Sequence, residues 1–162
     1  MIFRPSQKLN SKIKAGTLSV LPLDNNPYSD WTAHLFVADR TQFILLSNTE
    51  SLYSTVMLGK GITTGISFVE RALNSIREFM EDDGFNSVYA PLIAPESGTI
   101  RFGKALNRSV TGSMTDMIRF AAAFVIDDMS PHDVGHKLNE IPFSWLKKTT
   151  PRNTFKNMLN SQ

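Results

Sequence analysis

Apolar positions follow two periods along this chain, and the change between them predicts its elements. Between residues 34 and 58 they come in short dense runs. His34-Leu35-Phe36-Val37-Ala38 and Gln42-Phe43-Ile44-Leu45-Leu46 flank a turn at Asp39-Arg40-Thr41. Tyr53-Ser54-Thr55-Val56-Met57-Leu58 follows a second turn, Asn48-Thr49-Glu50-Ser51. Runs of this length read as strands of a meander, with both faces of the first two buried. Thr17-Leu18-Ser19-Val20-Leu21 alternates and stops at Pro22, which predicts a short strand over 17–21. A last strand is expected over 99–103, around Thr99-Ile100-Arg101-Phe102.

From residue 67 the spacing changes to that of a helix. Phe68, Val69, Ala72, Leu73, Ile76, Phe79 and Met80 share one face of a helix over 67–83. Ser67 and Glu70 have the spacing of a capping box, and Gly84 suits a left-handed stop. A second helix is expected over 113–127, from Ser113 through Asp116, with a stripe of Met114, Met117, Ile118, Ala121, Phe124 and Val125. Ser130-Pro131 and Thr150-Pro151 each place a cap before proline at the first helical position, predicting helices over 131–139 and 151–160. Leu9 and Ile13 allow a short helix ending at Gly16. The predicted fold is α+β: a mainly antiparallel sheet (17–21, 34–38, 42–47, 53–58 and 99–103) packed against amphipathic helices in one domain spanning 1–162.

Composition narrows the chemistry. The chain has 162 residues, 41% of them apolar, and no cysteine. That excludes disulfides, thiolate metal sites and a cysteine nucleophile. No apolar run is long enough for a membrane helix, and Lys8, Lys12 and Lys14 follow too soon after Met1 for a signal peptide, so a cytoplasmic location without membrane association is expected. A net charge of +2 is too small to demand a nucleic-acid partner. Lys147, Lys148, Arg152 and Lys156 near the end read as a solvated basic face.

Each candidate motif has a plainer structural reading. His132 and His136 stand at i, i+4 on a predicted helix, a spacing that can share a metal. The glutamate of a zincin motif is missing and no third ligand lies nearby in sequence, so the pair reads as an exposed helix face, with no metal and no cofactor assigned. Asp133 is better explained by the Ser130 cap. Glu81-Asp82-Asp83 places acids at a helix C-terminus, where the dipole disfavours them, and is read as a solvated end. Gly59-Lys60-Gly61 lacks the hydroxyl residue after its lysine that a phosphate loop requires. Thr111-Gly112-Ser113-Met114 is half of a nucleophile elbow. His34 is expected to be buried in its strand, and Trp31 and Trp145 to anchor the core or an interface.

The polar segment Asn107-Arg108-Ser109-Val110-Thr111-Gly112-Ser113 joins a predicted strand to a predicted helix start, a place where backbone N–H groups favour anions. Asn107, Arg108, Ser109 and Ser113 are therefore candidate ligand-binding residues for a small anion. The leading expectation is a non-enzymatic interaction protein, a homo-oligomer or the partner of another protein, because sheet edges must be covered. The alternative is an enzyme or sensor for an anionic small molecule at the Asn107–Ser113 loop.

Several blocks together resemble a known family. They are Phe3-Arg4-Pro5-Ser6-Gln7-Lys8-Leu9, Asp30-Trp31 before the His34 strand, Phe68-Val69-Glu70-Arg71-Ala72-Leu73, Asn107 to Met114, Leu138-Asn139-Glu140-Ile141-Pro142 and Pro151-Arg152. Their order is similar to that in an uncharacterised bacterial family carrying only a domain-of-unknown-function label. The resemblance covers nearly the whole chain and implies no catalytic residue, substrate or cofactor.

Overall fold

A computed structural model describes residues 1–161. Its five-stranded sheet is ordered β4-β3-β2-β1-β5, with β1 Ile2–Pro5, β2 Asp30–Ala38, β3 Thr41–Asn48, β4 Ser54–Leu58 and β5 Arg101–Phe102. The α+β class holds, but the sheet is mixed. β1 runs parallel to both β2 and β5, whereas β2–β3 and β3–β4 are antiparallel. The expectation of a mainly antiparallel sheet fails because β1 is not recognisable as a strand: it is four residues long and contains an arginine and a proline. Helix α1, Gln7–Ile13, carries the chain from β1 towards β2, making a parallel crossover. It is capped by Ser6 and buries Leu9 and Ile13.

The strand expected over 17–21 does not form. Only Ser19 bridges to Gly103, and Val20 lies exposed. The Leu21 and Pro22 carbonyls accept hydrogen bonds from the Arg4 guanidinium in place of a ladder partner. The strand expected over 99–103 shortens to Arg101–Phe102.

The remaining helices are α2, Gly65–Asp82; α3, Asn86–Val88; α4, Arg108–Ile126; α5, Pro131–Leu138; and α6, Pro151–Asn157, which continues as a 3-10 turn to Ser161. Two begin earlier than their periodicity predicts. In α2 the capping box pairs Thr64 with Ser67, one turn before the Ser67–Glu70 pair. In α4 the Asn107 side chain accepts the Val110 N–H at 2.9 Å, which starts the helix five residues before Ser113.

Alternation along the strands supplies a core on each face of the sheet. One joins Phe3, Trp31, Ala33, Ile44, Leu46 and Met57 to α1, α2 and α6. The other joins Phe36, Phe43, Leu45 and Val56 to α4 and α5. The helices thus form layers on both sides of the sheet, and the dense apolar runs of β2 and β3 follow from that double burial.

Edge strand β4 is blocked at Ser54 by a side chain. Buried Asn139, at the end of α5, accepts the Ser54 N–H at 2.8 Å and donates to the Ser54 carbonyl at 2.9 Å. It stands where another strand would pair. The opposite edge, β5, has only two residues. A two-residue edge and an edge residue already paired to a side chain resist strand addition at those points. Asn139→Ala should cost about 2–6 kcal/mol, since it leaves two buried backbone groups unpaired at about 1–3 kcal/mol each. Asn139→Asp should cost at least as much, because it buries a carboxylate and sets one of its oxygens against the Ser54 carbonyl. Urea denaturation of both variants checks this; equal stability of Asn139→Ala and the parent would show that water replaces the amide.

Candidate metal centre

Beyond the β4 edge the two helical layers meet, and there the C-terminus of α2 faces α5. Ser130 caps α5 by accepting the Asp133 N–H, and Pro131 occupies its first turn, as their order predicts. This places His132 and His136 on the side of α5 that faces α2. Gly135 lets the helices approach: a Cβ there would meet Phe79 Cε2 at 2.8 Å. Glycine inside a helix costs about 1 kcal/mol relative to alanine, and here the close approach explains it. The Phe79 ring lies 4.5 Å from His136 and 5.4 Å from His132, centroid to centroid, and forms the floor of the site.

The third group, which the local sequence lacks, comes from α2. Asp82 Oδ2 lies 2.8 Å from His132 Nε2 and 3.1 Å from His136 Nε2, and the two Nε2 atoms are 3.1 Å apart. Donors about 2.0–2.2 Å from one ion, at angles of about 90–110°, stand roughly 3 Å apart. All three edges of this triangle match. Without a cation, the two Nε2–H groups share the one Asp82 oxygen as acceptor and crowd one another at 3.1 Å, nitrogen to nitrogen. A cation at the centre satisfies all three. The side chains of Asp82, His132 and His136 are 59%, 48% and 33% exposed, which leaves the centre open to solvent.

The acidic end of α2 now has an account, residue by residue. Glu81 pairs with Arg77 at 3.4 Å. Asp82 faces the histidines, and hydrogen bonds first from His132 and then from His136 hold its carboxyl below the usual carboxylate range. Asp83 accepts from the Tyr53 hydroxyl at 2.8 Å and from Arg152 Nε at 3.2 Å. Burial, then the neighbouring Asp83 charge, pushes the Tyr53 phenol upward, so it stays protonated and donating. Asp83 Oδ1 also lies 3.7 Å from His136 Nδ1, longer than a hydrogen bond but on the ring nitrogen through which a carboxylate would orient a ligand histidine. Arg152 therefore belongs to this support, with its guanidinium 5.0 Å from the Phe85 ring, and is not part of a solvated basic face.

A cleft of about 470 Å³ opens beside His132, between α2, the β4 edge and the start of α5. Arg71, Asn74, Ser75 and Glu78 of α2 line it.

The sequence-predicted ligand residues lie elsewhere. Asn107 is the α4 cap, Arg108 and Ser109 are exposed in its first turn, and Ser113 lies inside the helix with its hydroxyl donating to the Ser109 carbonyl at 2.9 Å. The expected loop is thus largely helix. Of the segment Asn107–Ser113, Thr111 alone lines a cleft of about 400 Å³, together with His34 and Lys104. Burial lowers the pKa of His34 to about 4, so at neutral pH it is an uncharged half-buried residue.

No helix is long and apolar enough to cross a membrane among the described residues. No curated protein and no solved structure matches the chain. A family model does, over residues 2–154, and the chain belongs to that family, the domain of unknown function DUF6933.

Proposed function

We propose that the protein binds one divalent transition-metal ion between α2 and α5, with Asp82, His132 and His136 as its protein ligands. The observation that carries this reading is the triangle of Asp82 Oδ2 and two Nε2 atoms, with edges of 2.8, 3.1 and 3.1 Å. Two imidazoles and one carboxylate suit zinc, iron, cobalt or nickel better than calcium or magnesium, which prefer oxygen ligands. Three protein ligands leave coordination positions for water or a substrate, the pattern of reactive rather than purely structural sites. A cation also offsets the unfavourable placement of acids at the negative end of the α2 dipole. The anionic-ligand alternative moves with this reading from the Asn107–Ser113 segment to the α2–α5 junction.

Calorimetric titration of chelator-treated protein with Zn²⁺, Co²⁺ and Mg²⁺ tests it. One equivalent of Zn²⁺ or Co²⁺ should bind, with Mg²⁺ far weaker. His132→Ala, His136→Ala and Asp82→Ala should each weaken binding by more than the about 10–100-fold typical of losing an outer-shell partner. These side chains are exposed or half-buried, so the metal-free variants should keep the parent's melting temperature. Undiminished Zn²⁺ binding by His136→Ala would refute the assignment.

A further inference from the structure

We propose that the cleft beside this centre takes a small molecule with a carboxylate or phosphate for Arg71 and a donor atom for the metal's open positions. This rests on the metal reading above. Arg71, Ser75, Glu78 and Asp82 follow one another at i, i+4, i+7 and i+11, a polar stripe along one face of α2. At about 1.5 Å per residue the Cα atoms of Arg71 and Asp82 stand roughly 16 Å apart along the helix. Arg71 and His132 both line the cleft of about 470 Å³.

Arg71 is placed to receive a ligand. Its Nη2 donates to the Leu58 carbonyl at 3.4 Å, which holds the side chain over the end of β4. Among the described residues no carboxylate lies within ion-pair distance of it, as with exposed Arg40, Arg101 and Arg108, but of these four Arg71 is the one that lines this cleft. The guanidinium therefore keeps donors for a planar or tetrahedral oxyanion, which it binds in a forked geometry. Glu78, the other charged cleft residue of α2, stands one turn from Asp82. With a metal bound, the cleft would carry two cationic groups, the metal and Arg71, beside one carboxylate, Glu78, and the neutral hydrogen-bonding groups of Asn74, Ser75 and Thr55. That arrangement selects a small polar anion that reaches from Arg71 to the metal.

Calorimetry of zinc-loaded protein with inorganic phosphate and with succinate as probes tests the proposal, and its two arms separate the phosphate and carboxylate classes. At least one probe should bind the zinc-loaded protein and bind the metal-free protein much more weakly. Arg71→Ala should lower that affinity about tenfold or more, in line with a lost charge-assisted pair, and leave Zn²⁺ affinity and melting temperature unchanged. Zn²⁺ binding with neither probe retained, or with retention equal in Arg71→Ala, would overturn the inference and leave the metal centre standing. Failure of Zn²⁺ to bind at all would remove both.

Discussion

Replacing Arg4 with alanine should destabilise the protein by about 3–5 kcal/mol, the cost of leaving one member of a buried ion pair without its partner. Arg4 is 1% exposed, Asp30 is wholly buried, and both sit on adjacent parallel strands. The pair is bidentate: Nε and Nη2 each donate to one Asp30 oxygen at 2.8 Å. The guanidinium's other donors reach the Leu21, Pro22 and Lys104 carbonyls at 2.8–2.9 Å. Asp30 is equally well supplied, accepting also from Thr49 Oγ1 at 2.7 Å and the Asp24 N–H at 3.0 Å. Arg4 thus ties the loop after α1, the connection after β5 and the start of β2 into one network. Arg4→Lys should be destabilising as well, because an ammonium carries the charge without the planar fork. The double variant Arg4→Met/Asp30→Asn should be more stable than the two single effects sum to, since no unpaired charge remains. Urea denaturation of the four proteins measures the coupling, which should persist in high salt because the pair is shielded from water. A loss below about 1 kcal/mol in Arg4→Ala would mean that water reaches Asp30.

The same network shows why β1 was illegible. Strand assignment from sequence looks for apolar alternation, and Ile2-Phe3-Arg4-Pro5 has a charge at an inward position and a proline at its end. The charge is tolerated because its partner and three carbonyls are waiting, and all of them are distant in sequence. By contrast β2, β3 and β4 were legible, since dense apolar runs allow few alternatives and their turns mark the register. The helices α5 and α6 began where Ser-Pro and Thr-Pro placed them, because a cap and a fixed φ act locally. The start of α4 was misplaced because the first turn is polar, and polarity reads as loop when the apolar stripe begins only with Val110.

The candidate site was half legible. His132 and His136 at i, i+4 were visible as a pair that could share an ion, and the acids ending α2 were visible as misplaced against a helix dipole. What was missing was their convergence, since Asp82 lies 50 residues before His132 and only the packing of Phe79 on Gly135 brings them together. Two local anomalies, a glycine inside a short helix and acids at a helix C-terminus, were both signals of that junction. The Asn107–Ser113 segment is polar, as an anion-binding loop would be, but its asparagine serves the helix as a cap.

Phe155→Ala should rival Arg4→Ala in cost, at about 3–5 kcal/mol for removing a large side chain from a site that cannot collapse around the gap. Phe155 is fully buried at the centre of four other rings. It stacks on Tyr53 at 4.3 Å and meets Tyr28, Phe85 and Trp31 edge-on at 5.0, 5.3 and 6.5 Å. Its own carbonyl accepts from the Tyr28 hydroxyl at 3.1 Å, so the ring and backbone of α6 are both fixed. Phe155→Leu, which keeps much of the volume, should cost markedly less. The effect should also reach the metal centre. Tyr53 holds Asp83 through its hydroxyl, and Asp83 stands behind His136, so a loosened Tyr53 frees a supporting carboxylate. Zn²⁺ affinity of folded Phe155→Ala should fall by up to about tenfold, the lower end of what losing such a partner costs. Tyr53→Phe, which keeps the stack and deletes the hydroxyl, should weaken Zn²⁺ binding similarly with a smaller loss of stability. If Phe155→Ala lowers stability while Tyr53→Phe leaves Zn²⁺ affinity untouched, the aromatic cluster supports the fold alone and Asp83 needs no tyrosine to hold His136.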